Sequence, residues 1–272
     1  MSGLGKRHIG LLGGGNMAEA LIRGLLAAGV TGKHSLRASD PSAERRAHLM
    51  ASYGIETTAD NPALAAWADL LVVAVKPQVI KEALASVGSA IKGGALVVSI
   101  AAGVSTSRIE AALPKGTRVV RAMPNAAAMA LAAATAIAPG AHAESGDLEL
   151  VLRLFESVGR AVCVSESTLD AVTGLSGSGP AYVMLVIEAL ADGGVRAGLP
   201  RDVALLLAAQ TVYGGAKLQL DTGEHPAALK DRVTSPGGTT IAGLAKLEAA
   251  GVRGAFIDAV EAAAERSREL GR

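Results

Sequence analysis

A chain of 272 residues, half of them hydrophobic, is long enough for one large domain or two of ordinary size, and it can bury a substantial core. A formal net charge of +1 gives no electrostatic case for nucleic acid or a membrane surface. Six aromatic residues (Tyr53, Trp67, Phe155, Tyr182, Tyr213 and Phe256) are too few for stacking on bases. Cys163 is the single cysteine, which excludes an intrachain disulfide and a CxxC metal site; with no His or Lys near it in sequence, it reads as a small buried apolar residue. The histidines (His8, His34, His48, His142, His225) are scattered, so no metal site is expected. The N-terminus lacks a signal-peptide pattern. Gly, Pro or charge interrupts every apolar stretch before about 18 residues, so no transmembrane helix is expected. A soluble cytoplasmic protein fits these features.

The first half alternates strand and helix signals. Residues 8–12 read as a short buried strand and 17–28 as a helix, with Gly29 just past its end. Residues 35–39 read as a strand and 42–52 as a helix. Asp69 to Val75 is a fully buried strand stopped by Pro77. Strands over 95–100 and 117–122 follow, and 134–138 suggests another. The alternation predicts parallel βαβ units with right-handed crossovers. After about residue 165 the pattern turns helical, with a run from Thr168 to Leu175 and helices over 180–197, 200–220, 241–249 and 253–270. The simplest division is an α/β domain over residues 1–165 and an all-helical domain over 166–272.

Gly13-Gly14-Gly15-Asn16-Met17-Ala18 follows the first strand and opens the first helix. It matches G-x-G-x-x-A, the phosphate-binding turn of doubly wound Rossmann-type sheets. Gly13 supplies the tight turn, Gly15 lets a pyrophosphate approach the backbone, and Ala18 lets helix and strand pack closely. The adenosine ribose is expected at the end of the second strand. There Asp40 suits a free 2′-hydroxyl, whereas Ser39 with Arg45 and Arg46 suits a 2′-phosphate, so both NADPH and NADH stay open; a solvated helix face is the plain alternative for the two arginines. Ala74-Val75-Lys76-Pro77, Ala101-Ala102 and Met123-Pro124-Asn125 end later strands at the same predicted edge. Lys76 either contacts the cofactor or marks the strand's exit into water. Asn125 offers an amide to a nicotinamide group, and the small Ala101 and Ala102 leave room for its ring.

Ser235-Pro236-Gly237-Gly238-Thr239-Thr240 precedes another apolar helical segment. Backbone N–H groups at that helix start suit a small anion such as a carboxylate, and the hydroxyls of Ser235, Thr239 and Thr240 add donors; a simple helix cap after a turn is the alternative. No acid–base dyad is evident. Asp192 and Glu188 read as structural or solvated, and His225 as a cap or packing residue. A substrate that is already electrophilic, such as a cyclic imine, needs little beyond a hydride donor and correct orientation.

These stretches, together with Val75-Lys76-Pro77-Gln78, Val98-Ser99-Ile100-Ala101-Ala102-Gly103, Arg121-Ala122-Met123-Pro124-Asn125, Gly174-Leu175-Ser176-Gly177-Ser178-Gly179-Pro180-Ala181-Tyr182, Gly223-Glu224-His225-Pro226 and Leu229-Lys230-Asp231, resemble the pyrroline-5-carboxylate reductases over essentially the whole chain. The resemblance implies reduction of 1-pyrroline-5-carboxylate to L-proline with NADPH, or NADH, as the last step of proline biosynthesis. It implies an intertwined helical dimerisation domain and a homodimer or larger homo-oligomer, such as a decamer of dimers. It places the substrate carboxylate on amides near Ser235, Gly237, Gly238 and Thr239, with Thr240 on the ring nitrogen and Ser178 nearby at the start of the long helix. These residues are expected to face the nicotinamide of a partner subunit. One departure stands out. Ala126-Ala127 replaces the usual Thr-Pro after Met-Pro-Asn, and loss of the proline is expected to loosen that loop.

Overall fold

The computed structural model describes residues 3–271, which form two compact units: one runs to Gly177 and resumes at Ala263, and the other spans Ser178–Ala262. The first unit opens with strand β1 (Ile9–Leu12), helix α1 (Asn16–Ala27), β2 (Leu36–Ser39), α2 (Ala43–Tyr53), β3 (Glu56–Thr58), α3 (Asn61–Trp67) and β4 (Leu70–Val73). It continues with α4 (Ile80–Val87), β5 (Leu96–Ser99), α5 (Thr106–Ala111), β6 (Arg118–Met123), β7 (Ala133–Pro139), α6 (Ser145–Glu156) and β8 (Gly159–Cys163). A short helix α7 (Leu169–Val172) then leads into a π-helical turn, Thr173–Gly177.

The eight strands form one sheet in the order β3-β2-β1-β4-β5-β6-β7-β8. The pairs are parallel except β6–β7, which is antiparallel, for example Ala122 opposite Ile137. The expected parallel units hold elsewhere, and this one pair departs from them. The connection from β6 to β7 holds only the 3-10 turn Ala126–Ala130, too short for the helical crossover a parallel pair needs. β3 and β8 are edge strands that the sequence reading passed over: β3 is three polar residues, and β8 is five residues, none of them buried.

Both sheet faces are buried. Along β4, Leu70 and Val72 face one core with Leu11, Leu25, Val98 and Phe155, while Leu71 and Val73 face a second core with Leu12, Val97 and Val119. Alternation along a strand sends neighbours to opposite faces, so a sheet covered on both sides needs continuous apolar strands. The starts of α2 and α3 are set by side-chain caps. The hydroxyl of Ser42 accepts from the Arg45 N–H, and the carboxylate of Asp60 accepts from the Ala63 N–H. Cys163 is exposed, contrary to the expected core position, because it ends the edge strand β8.

The second unit is helical: α8 (Gly179–Arg196), α9 (Arg201–Thr222), α10 (Pro226–Arg232), α11 (Thr239–Ala249) and most of α12 (Val252–Leu270). Small residues bring α8 and α9 together, with Ala191, Ala204 and Ala208 buried between them. The Tyr182 hydroxyl donates to the Ala259 carbonyl at 3.3 Å. Many large side chains stay exposed, among them Leu185 and Leu206. The helical run over Glu166–Arg196 is long and apolar enough to cross a membrane by length and composition, which the sequence reading did not expect. The reason is that Gly177 and Gly179-Pro180 do not stop the run, because the π turn and the first turn of α8 absorb them.

Candidate active site

The glycine loop is shaped by contact as well as by turn geometry. Gly13 has φ +97°, and a Cβ there would lie 2.8 Å from the Ala74 carbonyl oxygen. Only glycine fits between the ends of β1 and β4. The Gly13 N–H donates to the Ser39 carbonyl at 2.9 Å, tying the loop to β2. Gly15 is the N-cap of α1, where no side chain caps the helix, and nothing lies within 4 Å of the position its Cβ would take. Gly15 and Asn16 are exposed, Met17 is half-buried and Ala18 is fully buried. Free amides at the positive end of a helix, open to solvent where neighbouring strands diverge from β1, make a cradle that fits a pyrophosphate.

At the end of β2, Asp40 braces this cradle. Its Oδ2 accepts from the Gly14 N–H at 3.0 Å and its Oδ1 from the Ser42 N–H at 2.9 Å. Arg46 donates back to the Asp40 carbonyl at 2.7 Å and the Pro41 carbonyl at 3.0 Å. Arg45 donates to the Gly14 carbonyl and to the Glu19 carboxylate. Both arginines therefore hold the loop rather than forming a solvated face. Ser39 is buried, and its hydroxyl has no partner among the described residues. Glu19 also accepts from the Tyr53 hydroxyl at 2.9 Å and lies 2.9 Å from His48 Nε2. Burial raises the Glu19 carboxyl, but hydrogen bonds from His48, Tyr53 and Arg45, with the Arg45 charge, outweigh it and hold the pKa at about 2. Glu19 escaped the sequence reading because its partners come from α2, far along the chain.

The later strand ends lie at the same edge of the sheet. After β4, Ala74 and Val75 are half-buried, and exposed Lys76 starts a 3-10 turn that begins with Pro77. After β5, the Ser99 hydroxyl accepts from the Ala101 N–H at 3.3 Å; Ala101 is buried and Ala102 half-buried. After β6, the Asn125 side chain is engaged at both ends. Its Nδ2 donates to the Ser176 carbonyl at 3.0 Å, and its Oδ1 accepts from the Ala134 N–H at 3.3 Å. Ala126 and Ala127 belong to the turn Ala126–Ala130, which Arg23 ties down through the Met129 carbonyl. Without the proline, the alanines still form a hydrogen-bonded turn. A further cluster was visible in the sequence only as an arginine inside an apolar strand. Buried Arg121 lies 3.4 Å from Glu166, and the Glu166 carboxylate also accepts the Thr106 N–H and hydroxyl, each at 2.6 Å.

In the helical unit, Ser235-Pro236-Gly237-Gly238 forms a turn closed by the Gly238 N–H on the Ser235 carbonyl at 3.0 Å. Pro236 presets the first corner, and Gly237 takes φ +67° at the second, as a type II turn requires. A Cβ on Gly238 would lie 2.3 Å from Ser235 Oγ. Gly238 is the N-cap of α11, and no side chain caps that helix. The amides of Thr239 and Thr240 in its first turn are therefore presented at a positive helix end. Ser178 is the N-cap of α8. His225 acts as a cap, its Nδ1 accepting from the Ala227 N–H at 3.2 Å.

Residues 8–103 match the family model described as NADP oxidoreductase coenzyme F420-dependent, and residues 166–270 match pyrroline-5-carboxylate reductase dimerisation. A pyrroline-5-carboxylate reductase of Methanosarcina acetivorans is 51% identical, with 98% of each chain covered. One from Synechocystis is 49% identical over 97% of this chain and 98% of its own. Among solved structures, a pyrroline-5-carboxylate reductase of Coxiella burnetii superposes with a TM-score of 0.93 at 36% identity, covering 98% of this chain and 99% of its own. The Plasmodium falciparum pyrroline carboxylate reductase with NADP bound has a TM-score of 0.88 at 30% identity, covering 99% and 100%. Likeness at this level, running through the glycine loop and the Ser235–Thr240 turn alike, makes the chain a member of the pyrroline-5-carboxylate reductase family.

Proposed function

We propose that this protein reduces 1-pyrroline-5-carboxylate to L-proline with NADPH or NADH, the last step of proline biosynthesis. The observation that carries this reading is one chain with two uncapped, glycine-led helix starts, at α1 and α11. The first suits a dinucleotide pyrophosphate and the second a small carboxylate. Gly13, Gly15, Asn16, Met17 and Ala18 would hold the pyrophosphate, with Ser39 and Asp40 toward the adenosine ribose. Ala74, Val75, Lys76, Pro77, Ala101 and Ala102 would line the nicotinamide side. The bound cofactor supplies the hydride that reduces the C=N bond.

In the helical unit, the amides of Gly237, Gly238 and Thr239 with the Ser235 hydroxyl would hold the carboxylate, and Ser178 would add a donor. Thr240 would hydrogen-bond the ring nitrogen and pass it a proton from solvent. Residues 1–165 serve the cofactor in this reading. Residues 166–272 serve the substrate and dimerisation, so that two copies share each site in a soluble cytoplasmic homodimer or a larger ring. The Thr240→Ala variant is expected to lose at least about a hundredfold in turnover, within the usual range for removing a positioned proton donor. Its NAD(P)H affinity, read by cofactor fluorescence, is expected to stay at the wild-type value. Unchanged turnover would remove Thr240 from the chemistry.

A further inference from the structure

Pro180 sits near the start of α8 and has no N–H. Its position is i+4 to Ser176, so the Ser176 carbonyl cannot make the bond that a continuing α-helix would give it. The next amide along, that of Ala181, is already used by the Ser178 carbonyl at 3.0 Å. A carbonyl left in this way is open to another donor. Asn125 supplies it from the end of β6, through Nδ2 at 3.0 Å. The other end of the same amide is fixed by the Ala134 N–H at 3.3 Å, so the side chain bridges the start of β7 and the π turn. A Cβ at Gly177 would lie 2.8 Å from Met123 Cε, the flexible end of that side chain. Hydroxyl bonds from Thr173 to the Leu169 carbonyl at 2.9 Å and from Ser176 to the Val172 carbonyl at 3.1 Å hold the turn from within.

We infer that Asn125 is a positioning residue. It supplies the donor that Pro180 withholds, and so fixes the Thr173–Gly177 turn from which the chain leaves the first unit at Ser178. Such π turns inside helices are frequent at functional sites because they re-aim the backbone. Here the re-aimed segment leads directly to Ser178 and α8. The inference rests on the reductase reading, in which Ser178 and the α11 turn meet the substrate. It differs from a role for Asn125 as a nicotinamide ligand, because each end of its amide already makes a bond within the protein.

The test uses Asn125→Ala and Asn125→Asp in the full-length protein. The aspartate keeps the acceptor for Ala134 but sets an oxygen against the Ser176 carbonyl. Both variants are expected to speed hydrogen–deuterium exchange across residues 173–178 by about tenfold, the scale of one lost hydrogen bond. The KM for 1-pyrroline-5-carboxylate should rise by a similar factor. NAD(P)H affinity, titrated by cofactor fluorescence, should stay within about twofold of wild type, well inside one tenfold step of 1.4 kcal/mol. Loss of cofactor affinity with unchanged exchange at 173–178 would make Asn125 a cofactor ligand and overturn the inference. Unchanged exchange and unchanged KM would overturn it as well. The exchange and cofactor readings need no turnover, so a wild-type protein inactive on 1-pyrroline-5-carboxylate refutes the reductase reading and leaves the clamp to be judged on those two measurements.

Discussion

Glu19 shows how a residue outside any motif shapes the cofactor end. Its carboxylate joins α1 to α2 through Arg45, His48 and Tyr53, and Arg45 in turn holds the Gly14 carbonyl. The folded pKa of about 2 lies below the ordinary 4.5, so the ionised form favours the fold. This contribution is complete above about pH 4.5 and disappears as the pH falls toward 2. In acid titrations of thermal stability, Glu19→Gln should flatten the decline between those values while lowering stability at neutral pH. An acid limb of the same steepness in the variant would mean that Glu19 does not carry it. Residues with local signatures, such as Gly13 and Thr239, were legible from sequence because turn geometry and helix starts act over a few positions. Glu19, and the engagement of Asn125 with Ser176, were not, since their partners are set by strand order.

At the scale of elements, close packing of α1 against the turn between α6 and β8 depends on a glycine that no motif marks. A Cβ on Gly24 would lie 2.5 Å from Val158 Cγ1 and 2.6 Å from the Ser157 carbonyl oxygen. One of these contacts is backbone, so the helix must move as a body to relieve it. Gly24→Ala gains helix propensity of about 1 kcal/mol, but overpacking of this kind costs about 1–3 kcal/mol. The net expectation is a lower midpoint in urea with an unchanged slope; a raised midpoint would show that α1 shifts freely. The same scale explains what the sequence left hidden in the fold. The central strands β1, β4, β5 and β6 are buried on both faces and announce themselves as apolar runs. β3 and β8 lie at the sheet edges, where every position is half-exposed or exposed and Glu56, Thr57, Thr58 and Arg160 are tolerated. The reversal at β7 was unreadable because an alanine-rich stretch carries no signal of strand direction; only the short Ala126–Ala130 connection decides it.

At the scale of the whole molecule, the two units differ in how completely they bury themselves. The first encloses its sheet on both faces, whereas the second leaves Leu185, Leu206, Leu220 and Ile257 more than half exposed. On α9 alone, Leu205, Leu206, Leu207, Leu218 and Leu220 are exposed, and an apolar surface of this kind marks an interaction site. The match of residues 166–270 to the dimerisation model makes a second copy the natural cover. In a twofold interface each position counts twice, so one buried leucine contributes about 3–6 kcal/mol per dimer at about 1.5–3 kcal/mol per side chain. Leu206→Glu removes that contribution and adds a charge that must be desolvated. Light scattering at micromolar concentration should then report monomer for the variant and dimer or larger for wild type. The first unit carries its own core, so the variant monomer should keep NAD(P)H binding. Turnover should fall with the loss of the dimer if each site draws residues from two copies, and should recover in part at high protein concentration, where mass action restores association. A Leu206→Glu protein that remains a dimer would place the interface on another face of the helical unit. A monomer with full turnover would show that one chain builds the whole site.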